Sequence, residues 1–120
     1  MFSLDNSLRY WLYSKPVNMR LGFNGLSGIV NNHMGMNLRD SKDVFVFVNA
    51  AKNRMKILHR EEGGLVLYSL RVELGRMRLP FSNDKEQNTL SFDYSKLITL
   101  VRSAVESPYV RRLKMLSNSL

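Results

Sequence analysis

The residues best suited to chemistry are crowded into the stretch NRMKILHREEGG, residues 53–64. His59 is followed by Glu61 and Glu62, and an imidazole with two carboxylates can bind a metal or transfer protons. Neighbouring strand residues point to opposite faces, however, so few of these groups can converge on one ion. We therefore interpret the stretch as the end of a hairpin with a satisfied histidine and a glycine turn. A metal or acid–base site is the less favoured alternative.

The rest of the chain offers little for catalysis. It has no cysteine, and its two histidines are His33 and His59. This composition excludes thiol catalysis and thiolate metal ligands and disfavours a structural zinc site. No serine lies in the kind of strained turn, beside a histidine and an acid, that a nucleophilic triad requires. We expect a protein that is not an enzyme, with no catalytic residues, metal, cofactor or small-molecule ligand.

The basic residues form the larger candidate site. Lysine and arginine number 18 against 10 acidic residues, which gives a formal net charge of +8 and a pI near 10.1 and favours polyanions or acidic protein surfaces as partners. Alternation along the predicted strands places several basic side chains on one sheet face, where arginine forks could hold phosphates. A merely solvated face is the alternative. The candidates for binding nucleic acid or a protein partner are Arg20, Arg54, Lys56, Arg60, Arg71, Arg76 and Arg78.

A short strand and a long helix are predicted before these basic strands. The alternating residues 9–13, RYWLY, indicate a strand, and Asn18 can cap a helix over residues 19–34. The apolar face of that helix consists of Met19, Phe23, Leu26, Val30 and Met34. We expect its glycines to pack closely against a sheet, because each one otherwise costs about 1 kcal/mol relative to alanine. These glycines are Gly22, Gly25 and Gly28.

The middle of the chain is predicted to form a meander of antiparallel strands. Residues 43–49 carry apolar side chains on both faces, as a central strand does. In residues 54–60 and 65–75, which tight turns separate, side chains alternate between the two faces of a strand. Residues 76–79 continue this alternation. The polar residues 82–89 indicate a loop.

A second helix is predicted after this loop. Asp93 can cap it, and residues 108–120 follow as a flexible basic tail. Its apolar stripe consists of Leu97, Leu100, Val101, Ala104 and Val105. The predicted fold is one α+β domain over residues 1–120, in which an antiparallel sheet of about five strands carries the glycine-bearing helix and the C-terminal helix.

Several separate sequence blocks within residues 8–80, in their order along the chain, resemble one known family. They are Pro16, Met19 and Arg20; Gly22, Phe23, Gly25 and Leu26; Val44 to Asn49; Arg54, Lys56 and Leu58; and Gly63, Gly64, Leu67 and Tyr68. The chain resembles the small accessory protein, often labelled TnpB, of the second open reading frame of the insertion sequence sixty-six family. It does not resemble the unrelated RNA-guided nuclease of the same name. Departures from the family's usual residues occur at Asn18, Leu21, Asn24, Ala50, Ala51, Arg60, Ser69 and Leu70.

The resemblance implies a bacterial transposition accessory encoded beside a separate transposase that has its own acidic catalytic residues. We expect a non-enzymatic factor that uses its basic surface on DNA at the element ends. The alternative is a protein-interaction module that docks on the transposase or on a second accessory protein. No apolar run approaches the roughly 20 residues that span a bilayer, and the first residues lack an export signal, so we expect a cytoplasmic protein without membrane contact.

Overall fold

The computed structural model describes residues 4–79 and 87–105, and within them the chain forms a five-stranded sheet and two helices. The elements are β1 Arg9–Tyr13, α1 Phe23–Asn32, β2 Asp43–Val48, β3 Arg54–Glu61, β4 Gly64–Arg71, β5 Thr89–Phe92 and α2 Tyr94–Val105. The strand order is β4-β3-β2-β1-β5. The α+β class and the number of strands are therefore confirmed for the described part of the chain.

The sheet is mixed, which corrects the prediction of a wholly antiparallel one. β1 and β2 run parallel, with Arg9 opposite Asp43, whereas the β2–β3, β3–β4 and β1–β5 pairs are antiparallel. Parallel neighbours need a long crossover connection, usually a helix, and α1 supplies it. Alternation does not encode strand direction, because a strand presents the same two faces whichever way it runs.

The fifth strand is also not where the sequence pattern places it. Residues 76–79 form no strand, although the side chain of Met77 is buried and its amide donates to the carbonyl of Lys52. The short segment Thr89–Phe92 pairs with β1 instead. Residue 89 therefore begins a strand rather than ending a loop, and residues 80–86 lie outside the described part of the chain.

Helix α1 begins four residues later than predicted and is shorter. Its N-cap residue is Gly22, while the Asn18 side chain accepts a hydrogen bond from the amide of Arg20 at 2.9 Å and so holds a turn ahead of the helix. Leu26 and Val30 are fully buried, as predicted, but Phe23 is 45% exposed and lies outside the core. Side chains of a helix point back over the preceding turn, and a residue in the first turn has no preceding turn to cover it. A periodic pattern therefore overestimates the burial of such a residue.

The close-packing explanation for the glycines of α1 is wrong. A Cβ atom added at Gly22 or Gly28 would meet nothing within 4 Å, and one at Gly25 would meet the side chain of Leu21 rather than the sheet. The contact with the sheet is made by larger side chains of the helix, including Leu26 and Val30.

Each face of the sheet carries one helix. On the α1 face, buried side chains of the helix pack on Phe45, Phe47 and Leu58. On the opposite face, Leu97 and Leu100 of α2 join a cluster that includes Tyr10, Leu12, Val44, Val46, Met55 and Ile57. The central strand β2 is buried along its whole length, as its apolar sequence predicted.

The beginning of α2 is confirmed. The carboxylate of Asp93 accepts hydrogen bonds from the Ser95 hydroxyl at 2.6 Å and from the Lys96 amide at 3.0 Å, and these bonds hold its pKa below the usual value. The side chains of Ala104 and Val105 and the predicted tail at 108–120 lie outside the described residues. In the part of the chain that is described, no helix is both long and apolar enough to cross a membrane.

Candidate nucleic-acid interface

The strand directions gather basic residues at one end of the sheet, which we call the cationic end. The carboxyl ends of β1, β2 and β4 lie there beside the amino end of β3. The backbone bond from Met77 to Lys52 brings the segment after β4 to the same place. The basic residues at this end are Lys15, Lys52, Arg54, Arg71, Arg76 and Arg78, and the exposed Arg20 belongs to the loop that Lys56 ties to the sheet beside them.

Acidic residues collect at the opposite end, which we call the acidic end. Among the described residues these are Asp5, Asp40, Asp43, Glu61, Glu62 and Asp93, while Glu73 follows β4 near the cationic end. Arg9 is neutralised at the acidic end, because its guanidinium bonds both Asp40 and Asp43 at 2.8 Å. The two ends of the sheet therefore differ in charge, and a polyanion is attracted to one of them.

Arg54 and Arg71 are the centre of the cationic end. They are directly opposite each other in the β3–β4 register and share the α1 face of the sheet. Within residues 4–79 and 87–105, neither guanidinium makes a hydrogen bond or an ion pair. Like charges directly across a strand pair destabilise a sheet by up to about 1 kcal/mol relative to neutral pairs. An anion bound between the two arginines would remove that repulsion.

An open groove of about 520 Å³ adjoins the two arginines. Arg54 and Arg71 line it together with the amide side chains of Asn18, Asn49 and Asn53. The amide nitrogen of Asn49 already donates to the side-chain oxygen of Asn53 at 2.7 Å. The amide nitrogens of Asn18 and Asn53 add hydrogen-bond donors without negative charge, which suits the groove to phosphate oxygens.

Lys56 has a structural contact that its strand position did not reveal. Its side chain shares the predicted face, but the ammonium group donates to the carbonyls of Met19 at 2.7 Å and Leu21 at 2.8 Å. These two carbonyls flank Arg20, so Lys56 ties the loop before α1 to the sheet and holds Arg20 beside the groove. The Lys56 side chain is half-buried rather than wet.

The seven predicted binding residues therefore separate into groups. The structure brings Arg54 and Arg71 together, holds Arg20 near them, and places Arg76 and Arg78 on either side of the anchored Met77. Arg60 lies toward the acidic end, where its Nε donates to the carbonyl of Leu38. Two lysines that the sequence reasoning left out, Lys15 and Lys52, also belong to the cationic end, and their place follows from the pairing of β1 with β2.

His59 is the satisfied histidine of a hairpin end, as predicted. It is 2% exposed; its Nδ1 is 3.0 Å from Oε2 of Glu61 and its Nε2 is 2.5 Å from the carbonyl oxygen of Ser41. Tyr68 donates its hydroxyl to the same Glu61 oxygen, and burial, reinforced by this bond, raises the pKa of the tyrosine. The following turn uses Gly63 at a φ of 93°, a left-handed value. Among the described residues, no group of three or more histidine or acidic side chains could hold a metal.

Comparison with known proteins places the chain in a family. The sequence model of the family described as IS66 Orf2 like protein matches residues 8–106, which run from just before β1 through α2. The match extends beyond the stretch 8–80 on which the sequence resemblance rested. No curated protein and no solved structure matches the chain.

Proposed function

The chain belongs to the IS66 Orf2-like family and is an insertion-sequence associated protein, and on that premise we propose that it is a non-enzymatic accessory factor of bacterial transposition. In this proposal it holds the DNA of the element ends through the groove at its cationic end. The observation that carries the proposal is the directly opposed pair Arg54 and Arg71, whose guanidiniums have no partner among the described residues.

The chemistry of this pair suits a phosphodiester backbone. A guanidinium presents several donors in a planar fork that matches two phosphate oxygens, and it stays charged at every physiological pH. Phosphate contacts of this kind position a protein on DNA without reading its sequence. Arg20, held beside the groove by the Lys56 brace, supplies a further cation from a different segment of the chain.

The absence of catalysis is part of the proposal and has its own support. His59 and Glu61, the pair that the sequence offered for acid–base chemistry, are buried and bonded to each other. Both imidazole nitrogens are engaged within the fold. A substrate could reach them only after the hairpin opened. The role we propose is therefore to bind, while the separate transposase cuts and joins.

Salt-dependent DNA binding tests the proposal. The association constant of a labelled end duplex is measured by fluorescence anisotropy over a range of salt concentrations, with no other protein present. Each phosphate that a variant no longer neutralises flattens the slope of log affinity against log salt by about 0.9, so Arg54→Ala with Arg71→Ala is expected to flatten it by about 1.8. The matched control is Arg39→Ala with Lys42→Ala, which removes two exposed cations away from the groove. Negligible wild-type binding at low salt would refute the DNA role.

A second candidate function, docking on the transposase, is favoured by the open edge of β4. Within the described residues β4 is a border strand of the sheet. The Val72 amide donates to Asn53 across the β3–β4 pair, so the alternate residues Leu65, Leu67, Ser69 and Arg71 direct their amides and carbonyls away from β3. Such an edge can accept a strand from a partner protein.

Proline at an edge position tests this second function. Ser69 is exposed and its amide faces outward, so Ser69→Pro is expected to preserve the fold and to block the addition of a strand. The measurement is co-purification with the element's transposase. Equal recovery of wild type and Ser69→Pro would argue against docking at this edge, and Ser69→Ala is the control for removal of the side chain alone.

A further inference from the structure

We propose that the crevice between Lys15 and Lys52, outside the carboxyl ends of β1 and β2, holds an additional backbone phosphate of the same nucleic acid. This inference rests on the proposed DNA-binding function and extends its site to two residues that no sequence pattern indicated.

The crevice exists because β1 and β2 are parallel neighbours. The chain leaves β1 toward α1 and leaves β2 toward the β3 hairpin, and the diverging segments open a space where the strands end. Its volume is about 250 Å³, and its lining includes Ser14, Lys15, Asn49 and Lys52.

The ammonium groups of Lys15 and Lys52 are available to donate hydrogen bonds to an anion in this crevice. Ser14 is already used, because its amide donates to the carbonyl of Asn88 and its hydroxyl to the carbonyl of Gln87. Lys15 and Lys52 are exposed, and within the described residues neither ammonium makes a hydrogen bond or an ion pair. None of the described residues that line the crevice is acidic, so its two lysines make it attractive to an oxyanion.

The backbone of Lys52 provides an independent observation. Its φ is 57°, in the left-handed region that a residue with a side chain occupies at an energetic penalty and that glycine occupies freely. The turn itself is held by Asn49, whose side-chain oxygen accepts from the amides of Asn53 and Arg54, both at 3.0 Å. The turn thus needs a left-handed residue but has no need of a lysine side chain. Strained residues of this kind cluster at functional sites.

The crevice is continuous with the arginine groove. Asn49 and Ala50 line both spaces, and Lys52 is two residues from Arg54. A strand of nucleic acid that lies on Arg54 and Arg71 therefore passes the β2–β3 turn before it reaches Lys15. This path places successive phosphates over cations from β4, β3, the turn and the segment after β1.

Substitution at Lys52 separates the binding role from the fold. In Lys52→Gly the backbone strain is relieved, so the melting temperature is expected to equal or exceed that of the wild type, while the slope of log affinity against log salt flattens by about 0.9. Lys15→Ala is expected to flatten the slope by a similar amount. Lys52→Arg keeps the charge and is expected to keep the slope, and Lys42→Ala is the control at the acidic end.

The outcomes distinguish this inference from the proposed function. If the wild type binds and Arg54→Ala flattens the slope while Lys52→Gly and Lys15→Ala leave it unchanged, the crevice is not on the DNA path and this inference alone fails. A slope flattened equally in Lys52→Arg and Lys52→Gly would reveal an effect of turn conformation and would also overturn it. Absence of wild-type binding at low salt removes the proposed function itself.

Discussion

At the scale of single residues, Lys56 shows a charged side chain serving the fold rather than the surface. Its ammonium is bonded to two backbone carbonyls of a loop that is distant in sequence. A half-buried charge without its partners is strongly destabilising, and carbonyls deprived of a charged donor are left exposed or unsatisfied. Lys56 therefore positions Arg20 and is not itself expected to contact DNA.

Removal of the Lys56 ammonium should lower stability. We expect Lys56→Met to reduce the free energy of unfolding by about 1 to 3 kcal/mol, the cost of leaving a part-buried acceptor without its donor. Urea denaturation followed by circular dichroism measures the change. Arg54→Met, on the same strand face without side-chain partners in the described residues, is the control and should not lower stability, because it also removes the repulsion with Arg71. Equal stability of the two variants would contradict the brace.

Tyr10 should make stability fall in alkaline solution. Burial, together with the nearby Tyr94, raises its pKa from 10.0 to about 12, and its hydroxyl donates to the Asp5 carbonyl at 2.8 Å. A raised pKa means that the folded state keeps the phenol proton to a higher pH than the unfolded state does. The contribution of Tyr10 to stability is therefore complete below its unfolded-state pKa and is lost as the pH rises from 10 toward 12. Tyr10→Phe should show a weaker decline in urea midpoint over that interval. Parallel declines would contradict the assignment.

At the scale of elements, α1 owes its position to a few large side chains. Leu26 and Val30 are fully buried, whereas positions 22 and 28 face open space. Gly28, in the middle of the helix, therefore weakens it without a compensating contact of its own. The stability of α1 depends on its packing against the sheet more than on its intrinsic propensity.

Alanine in the middle of α1 should stabilise the protein. A Cβ at Gly28 meets nothing within 4 Å, so Gly28→Ala is expected to raise the free energy of unfolding by about 0.5 to 1 kcal/mol. Gly63→Ala is the contrasting variant, because Gly63 has a φ of 93° and a side chain there should be destabilising by about 1 kcal/mol or more. Urea midpoints measure both. Lower stability in Gly28→Ala would restore close packing as the reason for the glycine.

The contribution of the Asp93 cap of α2 to stability should depend on pH. The Ser95 hydroxyl and the Lys96 amide hold the pKa of Asp93 below 3.8. Because the pKa of Asp93 is lower in the folded state than in the unfolded state, its contribution to stability is complete above the unfolded-state pKa. That contribution is lost as the pH falls through the folded-state pKa. The difference in melting temperature between wild type and Asp93→Ala should therefore be largest near neutrality and shrink below pH 3.8. A constant difference across that range would show that the carboxylate charge does not contribute.

At the scale of the whole molecule, the separation of charge between the two ends of the sheet is the feature that orients a polyanion. The cationic end gathers residues from five segments of the chain, namely β3, β4, the β2–β3 turn and the stretches after β1 and β4, and the acidic end neutralises its own Arg9. The net charge of +8 describes the amount of charge but not this arrangement.

Nuclear magnetic resonance should locate bound DNA at the cationic end. On titration with a short end duplex at low salt, the amide signals of Ala50, Lys52, Arg54, Arg71 and Met77 are expected to shift. Signals of Ser41 and Asp43 and of the Glu62 turn should stay constant, because the carboxylates at the acidic end offset its cations and leave no excess of positive charge to attract phosphate. The arginine double variant is the control for non-specific shifts. Shifts concentrated at the acidic end would refute the proposed orientation.

The faces of the strands and several local contacts were predictable from the order of the residues alone. Alternation assigned Arg54, Lys56 and Arg71 to one sheet face, and the structure confirms it, because the side-chain period of a strand depends only on neighbouring residues. The Asp93 cap and the satisfied His59 were predictable for the same reason, since most of their partners lie within three residues. The family blocks also predicted the family to which the chain belongs.

The use that the protein makes of these faces depends on contacts between segments that are distant in the sequence. The alternation of residues along a strand shows on which face of the sheet each side chain lies. It does not show the direction of the strand or the distant atoms that the side chain contacts. The parallel pairing of β1 with β2 brought Lys15 and Lys52 to one crevice. The contact between Lys56 and the carbonyl of Met19 joins residues 37 positions apart and turned a predicted phosphate ligand into a brace. Both depend on the route of the chain between strands, which no local pattern encodes.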